Sequence, residues 1–155
     1  ENLNYSEDAL NRVFGRYFGE GKEDASKYAR NPQKIANYVY MDEHRSKGGA
    51  LGNVEENDGF AFRGRGFLQC TGRTNYRKFA SEMRLPDVMK DPNLVATDYA
   101  FESAYWFFQR NGLFKIADKG VNDDVITEVT RRVNGGTHGL DDRLEKTKKI
   151  YGWLS

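Results

Sequence analysis

Apolar residues in this chain recur mostly at helical spacing. Between Ser6 and Phe14, the residues Ala9, Leu10, Val13 and Phe14 fall on one stripe, with Glu7 and Asp8 in the first turn where the helix dipole favours acids. Residues 23–29 read as a second, short helix. Asn31-Pro32 is a helix start, a capping side chain followed by proline at the first helical position, and it opens a stripe of Ile35, Ala36, Val39 and Tyr40. Residues 46–59 (SKGGALGNVEENDG) break the rhythm with a polar, glycine-rich excursion, long for a passive loop. Short apolar runs at Phe60–Phe62 and Phe67–Cys70, separated by RGRG, predict a minimal β hairpin.

Helical spacing then returns. Residues 74–83 place Tyr76, Phe79 and Ala80 inward, and Pro86 and Pro92 each start a new turn. The longest apolar segment, 97–111, carries aromatics nearly all round (Tyr99, Phe101, Trp106, Phe107, Phe108), which predicts a central, buried helix stopped by Gly112. Asn122 caps the next helix, with Ile126, Val129 and Val133 as its stripe and Asn134-Gly135-Gly136 as its end. A last helix over 140–153 points Leu140, Leu144, Tyr151 and Leu154 inward. The expected class is mainly α, with six to eight helices and one small β element. No repeat or interdomain linker interrupts the 155 residues, a length suited to one domain.

The stretch with the densest chemistry is 59–77, GFAFRGRGFLQCTGRTNYR. Its four glycines interrupt Arg63, Arg65, Gln69, Thr71, Arg73, Asn75 and Tyr76, a set of donors, acceptors and aromatic faces suited to a sugar-like or peptide-like ligand. The bland alternative is a structural turn with hydrogen-bonded polar residues. Net charge is +1 and the basic residues are scattered among acidic ones, so no stripe for nucleic acid is present. A single cysteine, Cys70, excludes an internal disulfide and reads as a buried, inert thiol. His44 and His138 are not spaced as metal ligands, so neither metal nor cofactor is expected. No apolar run reaches the length of a membrane span. What remains is carboxylate chemistry: glycosidic hydrolysis needs one carboxyl group to protonate the leaving oxygen and a second to activate water or attack. Acidic residues are plentiful, and pattern alone does not choose the pair.

GRGFLQCTGRTNY resembles the GRG-x-x-Q-L-(T/S)-G-R-x-N-Y signature of the family 19 glycoside hydrolases, chitinase-like enzymes whose bacteriophage members are endolysins. ENLNYS, YARNPQKIANYVY and VTRRVNGGTHGLDDR agree in the expected order, so the resemblance covers nearly the whole chain, and the phage branch fits better than the plant chitinases. It implies a lysozyme-like fold, with a small β-hairpin lobe and a cleft between lobes, and an inverting two-carboxylate mechanism. By this resemblance Glu1 is the general base, Thr71 helps hold the attacking water and Gln69 lines the cleft beside it. Asn75, Tyr76 and Asn134 are sugar-contacting or cleft-shaping, and Arg65 and Arg143 orient the carboxylates. The family's general acid lies in an HE-(S/T)-G segment that would fall before residue 1, so residues 1–155 read as one catalytic domain lacking its N-terminal segment. Cys70 stands where relatives carry Leu, His138 where they often carry Asn, and residues 41–59 look longer than usual.

The expected function is that of an endolysin hydrolysing β-1,4 bonds of peptidoglycan. The alternatives are a chitinase acting on N-acetylglucosamine polymers and a noncatalytic wall-polysaccharide binding protein that lost its acid. The resemblance further implies synthesis in the host cytoplasm, action at the bacterial wall, a monomer, and a polysaccharide partner rather than nucleic acid or membrane.

Overall fold

The computed structural model describes residues 1–45 and 49–155. Its eight α-helices are α1 (Glu7–Val13), α2 (Pro32–Val39), α3 (Asp58–Ala61), α4 (Arg73–Glu82), α5 (Ala100–Arg110), α6 (Leu113–Ala117), α7 (Asp123–Asn134) and α8 (Leu140–Leu154). Four short 3₁₀ turns intervene, at Ala25–Lys27, Asp42–His44, Pro86–Met89 and Pro92–Val95. The chain divides into two compact units, Glu1–Ser103 and Ala104–Ser155.

The expected β-hairpin lobe is not formed: among the described residues there is no β-strand, and the fold is all-helical. Phe60–Phe62 belongs to a helical turn, because Ala61 donates to the Asn57 carbonyl at 2.9 Å and Phe62 to Asp58 at 2.9 Å. Asp58 fixes that turn. Its buried carboxylate accepts the amides of Val54 and Glu55, both at 3.0 Å, and pairs with Arg73 at 2.7 Å. Gly59 allows α3 to lie against α2, since a Cβ there would overlap the Ala36 carbonyl and stand 2.8 Å from Asn37 Cα. Of the second expected strand only one residue pair survives, Arg65 and Cys70, which exchange hydrogen bonds at 3.2 and 2.8 Å. Between them Gln69 N closes a turn onto the Gly66 carbonyl at 3.3 Å, leaving no length for a ladder.

In the first unit, Leu3, Leu10, Phe18, Ile35, Ala36 and Val39 form one core, and α1 and α2 contribute the stripes their sequences carry. Ser6 caps α1 and Asn31 caps α2, each side chain accepting an amide of the first turn. Residues 23–29 shrink to the 3₁₀ turn at Ala25–Lys27, capped by Asp24. Of the 46–59 excursion, residues 46–48 lie outside the described residues. The remainder is well tied: Asp42 accepts the amides of Leu51 and Gly52 at 2.7 and 2.9 Å, and Asn53 is fully buried.

In the second unit, Leu113, Ile116 and Val125 form the core, with Phe107, Phe108, Val129 and Val133 packed around it. Trp106 is buried, as its position in the apolar segment predicts. Two expectations fail. In α5, which runs from the first unit into the second, Phe101 and Tyr105 are exposed, so that helix is not buried all round. In α8 no residue is fully buried: Leu140 and Leu144 are half-buried, whereas Tyr151 and Leu154 are exposed, and the pairs Lys146–Asp142 and Lys148–Asp123 lie on its surface.

Candidate active site

Glu1 is held by both oxygens. Tyr40, at the C-terminal end of α2, donates its hydroxyl to Oε1 at 2.7 Å, and the Gly64 amide donates to Oε2 at 3.2 Å. The Glu1 nitrogen donates in turn to the Gly64 carbonyl at 2.9 Å. Burial first, then the Glu1 charge, pushes the Tyr40 phenol far above its ordinary value, so it remains a donor across the whole neutral range. Tyr40 is itself braced. The buried Asn53 donates to the Tyr40 carbonyl at 2.9 Å and accepts the Arg73 amide at 2.8 Å, tying the end of α2 to the start of α4.

Gly64 brings the second group in. A Cβ at this position would overlap Gln69 Oε1 and stand 3.2 Å from Glu1 Oε2, so the carboxamide and the carboxylate border the same backbone atom. Gln69 is exposed and sits at φ +52°, a left-handed conformation that a side chain adopts at a cost. Its carboxamide makes no hydrogen bond to another described residue. Beside it, the Thr71 hydroxyl donates to the Gln69 carbonyl at 2.9 Å, leaving its lone pairs to accept, and Asn75 donates to the Thr71 carbonyl at 2.8 Å. The structure therefore gathers Glu1, Gln69, Thr71 and Asn75 around the turn at 64–71.

Arg65 and Tyr76 lie beneath this surface. Tyr76 is fully buried and leaves no area for a sugar; its hydroxyl donates to the Arg63 carbonyl at 2.8 Å. Arg65 is 5% exposed and spends its donors on the Ala61 carbonyl (2.7 Å), the Tyr76 hydroxyl (3.1 Å) and Asn93 (3.0 Å), none of them a carboxylate. Together they form the frame under the glycine turn. Burial raises the Tyr76 phenol to about 12, Arg65 opposing, and raises the Cys70 thiol to about 12, which leaves the thiol neutral and unreactive near neutral pH. Arg63, which the sequence reading left without a role, lies over the Phe60 ring at 4.1 Å. Burial and the Arg65 cation lower its pKa, while Tyr76 and Glu1 oppose that shift.

The remaining two candidates belong to the second unit. Asn134 ends α7 and donates to the His138 carbonyl at 2.9 Å, closing the NGGTH turn. Arg143 lies in the first turns of α8, with its Nη1 buried and without a hydrogen-bond partner among the described residues. Among the described residues no three His, Cys, Asp or Glu side chains are gathered to hold a metal. Sequence reasoning missed Tyr40 as part of the site, because it continues the apolar stripe of α2 and lies 39 positions from Glu1. The glycine density at 59–72 was the visible signal for the close approach at Gly64.

A carboxylate oriented by two donors, beside a carboxamide and a hydroxyl with free lone pairs, can orient a water and accept its proton. No family model matches the chain. It is 34% identical over 147 residues, 94% of its length, to a Haemophilus influenzae protein described as "Glycosyl hydrolase family 19 domain-containing protein". It is also 31% identical over 105 residues, 59% of its length, to the "Acidic 27 kDa endochitinase" of Solanum lycopersicum. These similarities support a general family 19 glycosyl hydrolase assignment. It spans 66% of the length of the bacterial relative and 40% of the plant one, so less than two thirds of either.

Proposed function

We propose that this protein hydrolyses β-1,4 glycosidic bonds in polymers of N-acetylated hexosamines by inversion. The observation that carries the reading is the Glu1 carboxylate, clamped by Tyr40 and Gly64 and bordered by Gln69. In this scheme Glu1 takes a proton from a water as that water attacks the anomeric carbon. Thr71 accepts a hydrogen bond from the same water, and Gln69 orients it or the neighbouring acetamido group. The leaving oxygen takes its proton from a second carboxyl group, as the inverting mechanism requires.

Chitin-type polymers of N-acetylglucosamine have the support of the tomato relative's description as an endochitinase. A second reading, an endolysin cutting peptidoglycan at the wall of a bacterial host, is favoured by two lysines on a polar groove along α2. The test is turnover by the complete gene product and its Glu1→Gln variant, measured as reducing ends from chitin oligomers and as clearing of permeabilised bacterial cells. A loss of at least about 10²-fold in the variant is expected for removal of a general base. Absence of turnover on both substrates by the unsubstituted protein would overturn the reading, and clearing without oligomer cleavage selects peptidoglycan.

A further inference from the structure

Away from Glu1, the first unit carries a groove of about 510 Å³ along α2; its lining residues Tyr28 and Tyr38 also pack against the core. Four amide side chains line it: Asn31, Gln33, Asn37 and Asn57. Three of them are already organised, since Gln33 and Asn37 both donate to the Asn57 side-chain oxygen at 2.9 Å. That arrangement holds Asn57 in its left-handed conformation, φ +68°, and leaves its own amide NH₂ unused. One wall is aromatic: Tyr28 and Tyr38 lie with ring centroids 4.9 Å apart.

The charged side chains that line the groove are lysines. Lys27 and Lys34 line it, and among the described residues no carboxylate does. Lys27 is paired with Glu23 at 3.4 Å, and the Glu23 charge also acts on Tyr28 and Tyr38 of the aromatic wall. Lys34 reaches only the Lys27 carbonyl, also at 3.4 Å, and has no acidic partner. A neutral sugar has no use for two ammonium groups. Amide donors and acceptors, a flat apolar wall and an unpaired cation match a short peptide bearing carboxylates.

The position fits a branch rather than the main glycan strand. Lys34 precedes Tyr40 by six residues, roughly 9 Å along a helix at 1.5 Å per residue, and Tyr40 holds Glu1. Asn37 also accepts the Phe60 amide at 2.8 Å, and Arg63 lies over the Phe60 ring.

We infer that this groove is a binding site for an acidic peptide of the kind that branches from a peptidoglycan strand. The inference rests on the reading of the protein as a wall-glycan hydrolase only for the source of that peptide; the chemistry of the groove stands by itself. Such a site lets the enzyme recognise the peptide of a muramyl residue while Glu1 works on the sugar chain, and gives a chitin strand nothing to engage there.

The test is binding, not turnover. The probe is the tripeptide L-Ala-γ-D-Glu-meso-diaminopimelate, titrated into the complete gene product by calorimetry and by NMR of the side-chain amides, with tri-N-acetylchitotriose as the neutral control. The expected result is saturable binding of the tripeptide, with shifts at Asn31, Asn37 and Asn57. Binding should weaken about tenfold in Lys34→Ala, the loss of one charge-assisted hydrogen bond. It should weaken less in Lys27→Ala, whose charge Glu23 already engages, and chitotriose binding should stay unchanged. Both lysines are exposed, so the variants keep the fold. No tripeptide binding, binding indifferent to Lys34, or shifts confined to other residues would overturn the inference. Because the readout bypasses catalysis, a Glu1→Gln protein that still hydrolyses glycan would sink the catalytic assignment while leaving this one standing.

Discussion

At the scale of single residues, Gly64 shows how a site depends on an atom that is missing. A methyl group at 64 meets the flexible end of Gln69 and the edge of the Glu1 carboxylate, not backbone. Gly64→Ala should therefore fold with nearly unchanged thermal stability while turnover falls roughly tenfold or more, about 1.4 kcal/mol of transition-state stabilisation. Parallel melting curves and initial rates check this, and a large drop in melting temperature would count against it. Tyr40 offers a second reading of the same contact. Burial is the first cause of its raised pKa and the Glu1 charge the next. Glu1→Gln should thus bring the phenol part of the way back toward its ordinary value, seen as an earlier rise in tyrosinate absorbance with pH. Tyr40→Phe should lower activity without unfolding the chain, since the ring remains and only the donor to Oε1 goes.

At the scale of elements, the 3₁₀ and α turns around the site are joined by buried polar groups rather than by a sheet. Asp58 serves two backbone amides and the Arg73 guanidinium while being almost wholly buried. Removing one partner of such a group strands the others. Asp58→Ala should cost about 3–5 kcal/mol, the range for breaking a buried pair, measured as a shift in the urea midpoint. A loss below 1 kcal/mol would show that Arg73 and the loop find water instead. Asn53 is the corresponding link between α2 and α4, and its two hydrogen bonds are what keep Tyr40 aimed at Glu1.

At the scale of the whole molecule, pH reveals the buried protonated groups. Cys70 has an ordinary value of 9.0 and Tyr76 one of 10.0, and burial takes each to about 12; Tyr40 moves up as well. The folded protein thus keeps these protons more tightly than the unfolded chain. Their stabilisation is complete below pH 9, begins to fade there as the unfolded thiol ionises, fades faster from pH 10 as the unfolded phenols follow, and for Cys70 and Tyr76 is gone by about pH 12. Urea midpoints should therefore fall between pH 8 and pH 10.5, and Cys70→Ala should flatten the part of the decline between pH 9 and 10. Among the described residues no helix is long and apolar enough to cross a membrane.

The chain's own pattern determined its helices where a stripe and a cap coincide. Ser6 with Leu10, Asn31-Pro32 with Ile35 and Val39, and Asn122 with Ile126 are local signals, readable because capping and period act over a few residues. The GRG-x-x-Q segment was likewise legible as a site, since its glycines and polar side chains are neighbours in sequence. Only the tertiary structure decided that Phe60–Phe62 coils into α3 instead of pairing with Phe67–Cys70. Asp58, reaching back to Val54 and Glu55 and forward to Arg73, outweighs the strand preference of three apolar residues. Only the tertiary structure set Tyr40 against Glu1, or separated the exposed Gln69 and Asn75 and the half-buried Thr71 from the buried Arg65 and Tyr76 of the same motif. Burial and long-range hydrogen bonds are properties of packed neighbours, and a one-dimensional pattern contains the neighbours only along the chain.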